Sequence, residues 1–460
     1  MLLSFRVVNH RSFRDEQQLN LHPVYEDDRP AGTDWAAVPV TGIFGANASG
    51  KSNLVAALRY MADMVVNSHR EAEPDGGVLR YPFLLDEEAR EEPSWYIADL
   101  LLGGVRYTYG FAVDDQRVVE EWLDSYPRGR RRSLFERKGE RVSPGDSQRS
   151  GELALVESIT EPNVLFLSLA ARSKQEDFRP VYDWFYRSLR FRLSPGLGFS
   201  RPIYSAARWL EGVDRYPELM SLLRAADLGI EACGTERVLM DEAALRRQYG
   251  GRVPPHVLRR LEDEGPREVV RPWVGHRGRN GTVQIDLHDE SAGTRALLEQ
   301  APQFLSVLRT GGTFVVDEID ASLHSLLTTG LIGLFQNPET NRRGAQLIFT
   351  THDPSLLGRR DGEDILKRDQ VWFVEKDQYG ESRLYALAEF RPRKDENRER
   401  RYLGGSYGGV PYIDESFSRA LRERGAWAVG EDAEAERQTD SDASEPGDRS
   451  AAQAGSARPC

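Results

Sequence analysis

The chain has 460 residues, of which 29% are charged and 39% hydrophobic, and its formal net charge is -12. Mean hydropathy is -0.55. No run approaches the roughly 18–20 apolar residues that cross a bilayer, and the first residues do not resemble a signal peptide, so we expect a cytoplasmic protein with no membrane contact. Two cysteines exclude a disulfide framework and a four-cysteine zinc site. The negative charge argues against a surface coated uniformly for nucleic acid.

Charge is distributed unevenly along the chain. From residue 430 to the end, eight acidic residues stand against three arginines with few large apolar residues, which predicts a disordered acidic tail over 428–460. Two short stretches are basic instead, 127–133 and 391–401. Each is either a solvated loop or a contact for a phosphate backbone or an acidic partner, and the pattern leaves both interpretations open.

The beginning of the chain predicts strand, strand and helix. Alternating apolar residues from Leu3 to Val7 predict a first strand, and 38–44 predicts a second strand that runs into a glycine-rich turn. The apolar residues after that turn recur at helical spacing. They are Leu54, Leu58, Met61 and Val65.

A β-hairpin arm and an insertion are predicted next. Strands 95–101 and 105–113 are joined by Gly103 and Gly104, which suit the positive φ angles of a two-residue hairpin turn. The period then changes, with amphipathic helical runs at 203–213 and after Pro217. We therefore predict a mostly helical insertion over 165–266.

Strand patterns return in the last part of the chain, at 282–287, 313–316, 346–350 and 371–374. Helical stretches separate them. Alternation of strands and helices on both sides of the insertion predicts one α/β domain, whose two halves are 1–164 and 267–427.

The turn after the second strand carries a phosphate-loop motif. Residues 45–52 read GANASGKS and match G-x-x-x-x-G-K-[ST] between a strand and a helix. In such a loop backbone N–H groups turn toward phosphates, the lysine reaches the β/γ oxygens and the serine hydroxyl ligates Mg²⁺. We therefore predict an ATP and Mg²⁺ site at Gly45, Asn47, Ala48, Ser49, Gly50, Lys51, Ser52 and Asn53.

Acidic and histidine residues follow two later strand patterns. Asp317 is predicted to hold Mg²⁺ and Glu318 to orient the attacking water, although two acids after a strand also suit a simple polar strand end. His352 follows the strand 346–350 and is predicted to bridge to the γ-phosphate, although a lone histidine there also suits a structural role. Ser322 precedes a helical stretch, for which it would serve as the N-cap.

Together these residues resemble the ABC-type ATPase head of SMC, Rad and RecF-like proteins. Residues 45–52 resemble Walker A, 314–318 Walker B, 290–294 a signature motif and 322–324 a D-loop, and His352 resembles the switch histidine. The segments VNHRSF, GANASGKSNL, ESAGT, DEIDASLH, QLIFTTHD and YGGVPYI are similar to RloA-type ATPases of bacterial phage defence, whose relatives include the ATPase of the PARIS system.

The resemblance implies an ABC-type P-loop NTPase head, a mixed sheet flanked by helices that binds and hydrolyses ATP with Mg²⁺. It implies that Ser291 and Gly293 of one protomer cap the γ-phosphate bound by another, in a homodimer or higher homo-oligomer of heads. Arg11 and Ser12 resemble a segment that lines the nucleotide, and Ser322 belongs to the D-loop.

The resemblance has two departures. Glu290 stands where the usual signature has leucine, and no glutamine loop is evident between Lys51 and Trp95.

The residues after 374 contain no further βα units for a nuclease, so the resemblance implies a separate Toprim or RloB-like nuclease effector, with DNA or a phage protein as the trigger. Two other functions remain open: a DNA repair or recombination ATPase of the RecF/SMC type, and a nucleotide-binding scaffold that does not hydrolyse ATP. A neighbouring gene for a Toprim-like protein favours defence, whereas strong stimulation of turnover by DNA favours repair.

Overall fold

The computed structural model describes residues 1–30, 32–74, 76–145, 150–173, 176–193, 210, 217–226, 229–248, 253, 255–321 and 323–411. Residues Met1–Val410 form one compact unit, which holds every element below; of the second unit, Pro411–Cys460, Pro411 is described. The tail predicted over 428–460 lies outside the described residues, as does the helical run predicted at 203–213 apart from Leu210.

A mixed sheet of six described strands lies at the centre of the fold. In sheet order these are β18 (Ser382–Ala386), β17 (Val371–Lys376), β3 (Val40–Phe44), β14 (Gln346–Thr350), β13 (Thr313–Val316) and β9 (Leu189–Arg192). Strand β18 is antiparallel to β17, and the other neighbours are parallel. The carboxyl ends of β3, β13 and β14 therefore meet at one edge of the sheet.

Both faces of this sheet are covered, so its parallel strands are apolar almost throughout. On one face, Ile43 and Ile348 join a core that includes the buried side of α1 (Lys51–Glu71). On the other face, Phe314 and Phe349 join a core with α9 (Ala292–Thr310) and α10 (Ser325–Gln336). A mixed sheet flanked by helices is the fold class that the sequence predicted.

Helix α1 fixes the segment that follows the glycine-rich turn. Its apolar side chains Leu54, Leu58, Met61 and Val65 are each at most 3% exposed, as their spacing predicted. Full burial of such a side chain contributes about 1.5–3 kcal/mol. Packing therefore holds the start of the helix in place, and with it the turn before it.

Seven described strands form an antiparallel sheet that shares a core with α1. In sheet order they are β2 (Gln17–Asn20), β1 (Leu2–Val8), β4 (Ser94–Leu102), β5 (Val105–Val113), β6 (Val118–Tyr126), β7 (Arg132–Lys138) and β8 (Arg141–Pro144). Strands β4 and β5 are the predicted hairpin, and Gly103 and Gly104 have φ angles of 56° and 78°. The hairpin lies in the middle of the sheet and does not project from it.

The range 165–266, predicted to be a mostly helical insertion, also contains strands. Its described helices are α4 (Phe166–Ala170), α5 (Arg179–Asp183), α6 (Pro217–Ala225), α7 (Glu242–Gln248) and α8 (Pro255–Glu264). Strand β9 lies in this range and forms an edge of the mixed sheet. The helical pattern missed β9 because four residues are too few to establish a period, and because its partner β13 comes much later in the chain.

A third sheet contains three described strands, β10 (Ile230–Met240), β11 (Arg267–Gly278) and β12 (Gly281–Asp286), paired in that order. Strand β12 is the one predicted at 282–287, but it pairs with β11 and not within the mixed sheet. The remaining described elements include α2 (Glu87–Glu91), α3 (Ser150–Ser158), the short pair β15 (Arg359–Arg360) and β16 (Glu363–Asp364), and α11 (Arg398–Leu403).

In each basic stretch, at least one arginine pairs with an acidic residue of the fold. In the first, Arg131 lies 3.0 Å from Asp124. In the second, the Arg398 side chain is 2% exposed, donates to the Leu366 carbonyl at 2.8 Å and lies 2.7 Å from Asp364. These arginines therefore have a structural role. Among the helices of the described ranges, none has both the length and the apolar character that a membrane crossing requires.

A buried carboxylate joins the seven-stranded sheet to α4. Glu121 accepts hydrogen bonds from the backbone N–H groups of Phe166 and Leu167 at 2.7 and 2.9 Å and from the Tyr109 hydroxyl at 3.0 Å. Its other neighbour is the buried Arg137 guanidinium at 3.7 Å. Burial raises the pKa of Glu121 above its ordinary value, whereas these partners stabilise the ionised carboxylate and offset part of that cost.

Replacing Glu121 by Ala should lower the free energy of unfolding by about 3–5 kcal/mol, because Arg137 would stay buried without its counter-charge. Urea titration followed by tryptophan fluorescence measures the change. Glu121→Gln, which keeps an acceptor for the α4 backbone, should lose less than Glu121→Ala. Equal stability of Glu121→Ala and the parent chain would contradict the role of this contact.

Candidate nucleotide-binding site

The loop between β3 and α1 has the geometry of a phosphate cradle. Gly50, the N-cap of α1, has a φ of 114°, and a Cβ there would meet the hydroxyls of Ser12 and Ser382. A Cβ on Gly45 would meet the Val374 carbonyl and, at 2.7 Å, the Ser49 hydroxyl. Only glycine fits at these two positions. The loop leads into a helix N-terminus, where backbone N–H groups and the helix dipole favour an anion.

Lys51 holds the loop closed from within. Its Nζ donates to the carbonyls of Gly45 and Ala46 at 2.8 and 2.9 Å and lies 3.4 Å from His352 Nδ1. The residue is only 4% exposed. Burial lowers the pKa of Lys51 to about 8. A phosphate in the cradle would offer this ammonium a stronger acceptor than the two carbonyls.

Ser52 and Asp317 form a pair suited to a cation. The Ser52 hydroxyl donates to Asp317 Oδ1 at 3.0 Å, and the Thr350 hydroxyl donates to the same oxygen at 2.7 Å. Asp317 is fully buried, and its Oδ2 has no hydrogen-bond partner in the described structure. A buried carboxylate oxygen without a donor beside a serine hydroxyl fits Mg²⁺, which prefers oxygen ligands. The two residues predicted to hold the metal are therefore brought together.

Glu318 and His352 lie at the carboxyl ends of β13 and β14. The Glu318 N–H donates to the Thr350 hydroxyl at 2.8 Å, and the residue has a φ of 54°. Its carboxylate lies 4.0 Å from His352 Nε2, and the two side chains are 41% and 38% exposed. Burial and the Lys51 charge lower the pKa of His352, so the imidazole is neutral near pH 7. Water can therefore reach a carboxylate beside a neutral imidazole.

The N-terminal segment supports the cradle. The Ser12 hydroxyl accepts from Asn53 Nδ2 at 2.7 Å and lies 2.7 Å from the Ser382 hydroxyl, which also lies 2.5 Å from the Ser49 carbonyl. Arg11 lies with its guanidinium 5.0 Å from the centre of the Tyr81 ring. Ser12 and Asn53 thus support the loop 45–52. Their contact with the nucleotide, like that of Arg11, stays a prediction.

Asn47 and Ala48 form the exposed crown of the loop. Ala48 has a φ of 61°, a conformation that alanine rarely adopts. This strain keeps the chain turned at the point where backbone N–H groups would face phosphates.

The predicted signature residues lie at the start of α9. The Ser291 hydroxyl caps α9 by accepting from the Thr294 N–H at 3.1 Å, and Gly293 lies in the first turn of that helix. In the described part of the chain, neither residue has a hydrogen bond to the loop 45–52. Among the described residues, Glu290, which precedes the cap, has no hydrogen bond to the loop 45–52. Its carboxylate pairs with His276 Nε2 at 2.7 Å.

Ser322 lies outside the described residues. The N-cap of the following helix, α10, is His324, whose Nδ1 accepts from the Leu326 N–H at 3.2 Å. The N-cap of this helix is therefore two residues later than Ser322, the N-cap that one interpretation of the sequence predicted.

Three residues of the site were missed by the sequence reasoning. Thr350 links Asp317 and Glu318, because its hydroxyl donates to Asp317 Oδ1 and accepts from the Glu318 N–H. The strand pattern 346–350 does not indicate this role. Ser382 contacts the cradle from β18, and His276 positions Glu290 from β11. Ser382 carries no local motif, because its partners Ser12 and Ser49 lie far away in the sequence. His276 lies 14 residues before its partner Glu290 and likewise belongs to no motif.

Loop, lysine and carboxylates at the carboxyl edge of a parallel sheet define the class of P-loop NTPases. Residues 40–358 match the family described as "AAA domain, putative AbiEii toxin, Type IV TA system". The chain belongs to this family of AAA domains. No curated protein matches its sequence at a significant level.

Solved SMC heads show a weak overall likeness. A SmcHead bound to the C-winged helix domain of ScpA has a TM-score of 0.38 and 12% identity, covering 85% of this chain and 99% of that one. The SMC head domain from Thermotoga maritima has a TM-score of 0.36 and 16% identity, covering 84% and 98%. Scores this low carry no argument by themselves, so the fold class rests on the sheet order and the cradle.

ATP affinity should fall as the pH rises through the pKa of Lys51. With a pKa of about 8 in the free protein, Lys51 loses its charge above that pH, and ATP must then bind together with a proton. The Kd should rise about tenfold from pH 7 to pH 9. Calorimetric titration at both pH values measures it.

Lys51→Arg supplies the control for this effect, because a guanidinium stays charged throughout the range. Its Kd should differ little between the two pH values, whatever its absolute affinity. The same slope in both proteins would show that another group controls the pH dependence.

Proposed function

We propose that the protein is a cytoplasmic ATPase of bacterial anti-phage defence, in which ATP joins two heads and hydrolysis controls a separate effector nuclease. The observation that carries the enzymatic part is the cluster at the carboxyl edge of the mixed sheet. Ser52, Asp317 and Glu318 are linked there by contacts through Thr350. Lys51 lies beside them, 3.4 Å from His352 Nδ1, and His352 Nε2 lies 4.0 Å from the Glu318 carboxylate.

In the proposed reaction, the Lys51 ammonium exchanges its two carbonyl acceptors for phosphate oxygens, and the N–H groups of the loop cradle the remaining charge. Ser52 and Asp317 would hold Mg²⁺, which supplies positive charge to the phosphates. Glu318 orients a water and accepts its proton as the water attacks. His352, neutral at pH 7, offers a hydrogen bond to the same water or to the departing phosphate.

The proposed second head completes the site. Ser291 and Gly293 lie at an exposed helix N-terminus that has no bond to the cradle of its own protomer. An exposed N-terminus of this kind suits a phosphate bound by another molecule. ATP held between the two surfaces would join the protomers, and its hydrolysis would separate them.

The defence role is supported by the family description, which names a toxin and a Type IV TA system, and by the similarity of six short segments to RloA-type ATPases. The effector is proposed to be a separate Toprim or RloB-like nuclease, as the resemblance to RloA-type ATPases implies. DNA or a phage protein is the proposed trigger.

Glu318→Gln tests the enzymatic part. Removing the base should lower phosphate release by about 100-fold or more, while ATP binding stays within about twofold of the parent because Gln keeps the shape and loses only the charge. Phosphate release and nucleotide binding are measured separately on the same preparation. Glu363→Gln, at a side chain 85% exposed, is the matched control.

Undiminished turnover in Glu318→Gln would contradict the role of this carboxylate. Absence of turnover in the parent chain, with ATP still bound, would select a scaffold that binds nucleotide without hydrolysing it.

Complementation tests the proposed second head. Ser291→Asp keeps the helix cap but places a carboxylate opposite the phosphate, so it should be inactive on its own while still binding ATP. Lys51→Ala should be inactive for lack of ATP binding. An equal mixture should recover about a quarter of the parent activity, because half of the dimers are mixed and each of these has one intact composite site.

Ser291→Asn, an equally good cap without the charge, is the control for helix stability and should retain more activity than Ser291→Asp. A mixture as inactive as its two components would show that Ser291 does not act across protomers.

A further inference from the structure

The loop 79–92, which precedes β4, presents leucines to solvent. Leu79, Leu84 and Leu85 are 74%, 60% and 71% exposed. Single exposed leucines are ordinary on protein surfaces, but several within one short loop mark a contact surface. The loop contains α2 and lies beside the segment that holds Arg11.

Hydrogen bonds hold this loop in place although it is exposed. Asn9 Nδ2 donates to the carbonyls of Ala89 and Glu92 at 2.5 and 2.7 Å, and Asn9 Oδ1 accepts from the Phe83 N–H at 2.8 Å. The buried Arg80 guanidinium donates to the Glu92 carbonyl at 2.8 Å. Because these bonds order the loop in advance, a partner that binds it loses little conformational entropy.

The same loop is acidic. Glu87, Glu88, Glu91 and Glu92 are exposed and stand against Arg90, so that α2 and its C-cap have a net charge of -3 (four glutamates less one arginine). The loop is therefore an apolar projection with a negative rim.

A groove elsewhere on the same unit has the opposite character. It lies between α6, α9 and α10 and has a volume of about 1080 Å³. Eight leucines from the three helices line it, among them Leu222, Leu305 and Leu334. At its edge Leu326 is 54% exposed. No part of the ATP chemistry uses these side chains.

The rim of the groove is basic. Arg309, Arg342, Arg343 and Arg360 line it with Glu218 and Glu339, so four arginines stand against two glutamates. Arg343 and Gly311 precede β14 and β13, at the amino ends of these parallel strands. The catalytic cluster lies at their carboxyl ends, so this rim is at the opposite edge of the mixed sheet.

We propose that the groove binds the loop 79–92 of a second copy of this chain, with Leu84 and Leu85 against the leucines and the glutamates of α2 against the arginines. Both surfaces are apolar and their rims carry opposite charge, and both are present on every copy. Because loop and groove are different surfaces, the contact is head-to-tail and leads to a closed ring or an open filament, not to a simple twofold dimer.

The contact does not involve the nucleotide, so it should form without ATP and does not rest on the proposed function. Light scattering coupled to size exclusion should give the full chain a mass above one protomer without nucleotide. Leu84→Ser/Leu85→Ser should weaken association by at least about tenfold, as should Arg342→Glu/Arg343→Glu. Leu239→Ser, at a leucine 53% exposed on β10, is the matched control and should leave the mass unchanged.

Mixing separates this contact from any other. The loop variant retains a groove and the groove variant retains a loop, so an equal mixture should form a species of two protomers and no larger one. In a second arm, Glu91→Arg/Glu92→Arg should dissociate the assembly, and combining it with Arg342→Glu/Arg343→Glu should restore the parent mass.

A parent chain that stays monomeric without ATP would overturn the proposal and leave the groove to a foreign partner. So would a mixture of the two variants that does not associate, or reversed charges that fail to restore assembly. Circular dichroism of each variant shows that its fold is intact.

Discussion

The Asp317 carboxylate is the contact on which the arrangement of the site depends. It joins three elements, because Oδ1 accepts from Ser52 at the start of α1 and from Thr350 at the end of β14, while Asp317 itself directly follows β13. The Thr350 hydroxyl in turn accepts from the Glu318 N–H. One buried carboxylate thereby fixes the two proposed metal ligands, Ser52 and Asp317, and the turn that presents Glu318, the proposed base. Leaving Oδ2 buried without a donor costs about 1–3 kcal/mol, a cost that proteins tolerate where a ligand removes it.

The cradle also depends on residues from the two ends of the described chain. Ser12 and Ser382 meet behind Gly50, and the Ser382 hydroxyl reaches the Ser49 carbonyl. A side chain on Gly50 would collide with both hydroxyls. The glycine is therefore needed for two reasons, the positive φ of the turn and the close approach of β18. The second reason links the motif to a strand that begins more than 300 residues later.

Whether the sequence predicted an element depends on how far apart along the sequence its interacting residues lie. The cradle, α1 and the hairpin turn at Gly103 and Gly104 depend on neighbours in sequence, and their patterns were sufficient. The mixed sheet was predicted as a class, since its apolar strands alternate with helices. Strand β9 was hidden, because its hydrogen bonds go to a strand far away and its four residues show no period. Ser382 was hidden for the same reason, since a serine in an edge strand has no local signal.

Glu290 shows how a departure from a family pattern is compensated in three dimensions. Where the usual signature has leucine, this chain has a carboxylate that is only 7% exposed, and a buried charge requires a partner. His276 supplies it from β11, which pairs with β10 and β12. The residue before the Ser291 cap is thus attached to the three-stranded sheet, whereas a leucine would attach it only to the core. The His276–Glu290 contact therefore ties the N-terminus of α9, where the residues proposed to meet the second head lie, to the three-stranded sheet as well as to the core.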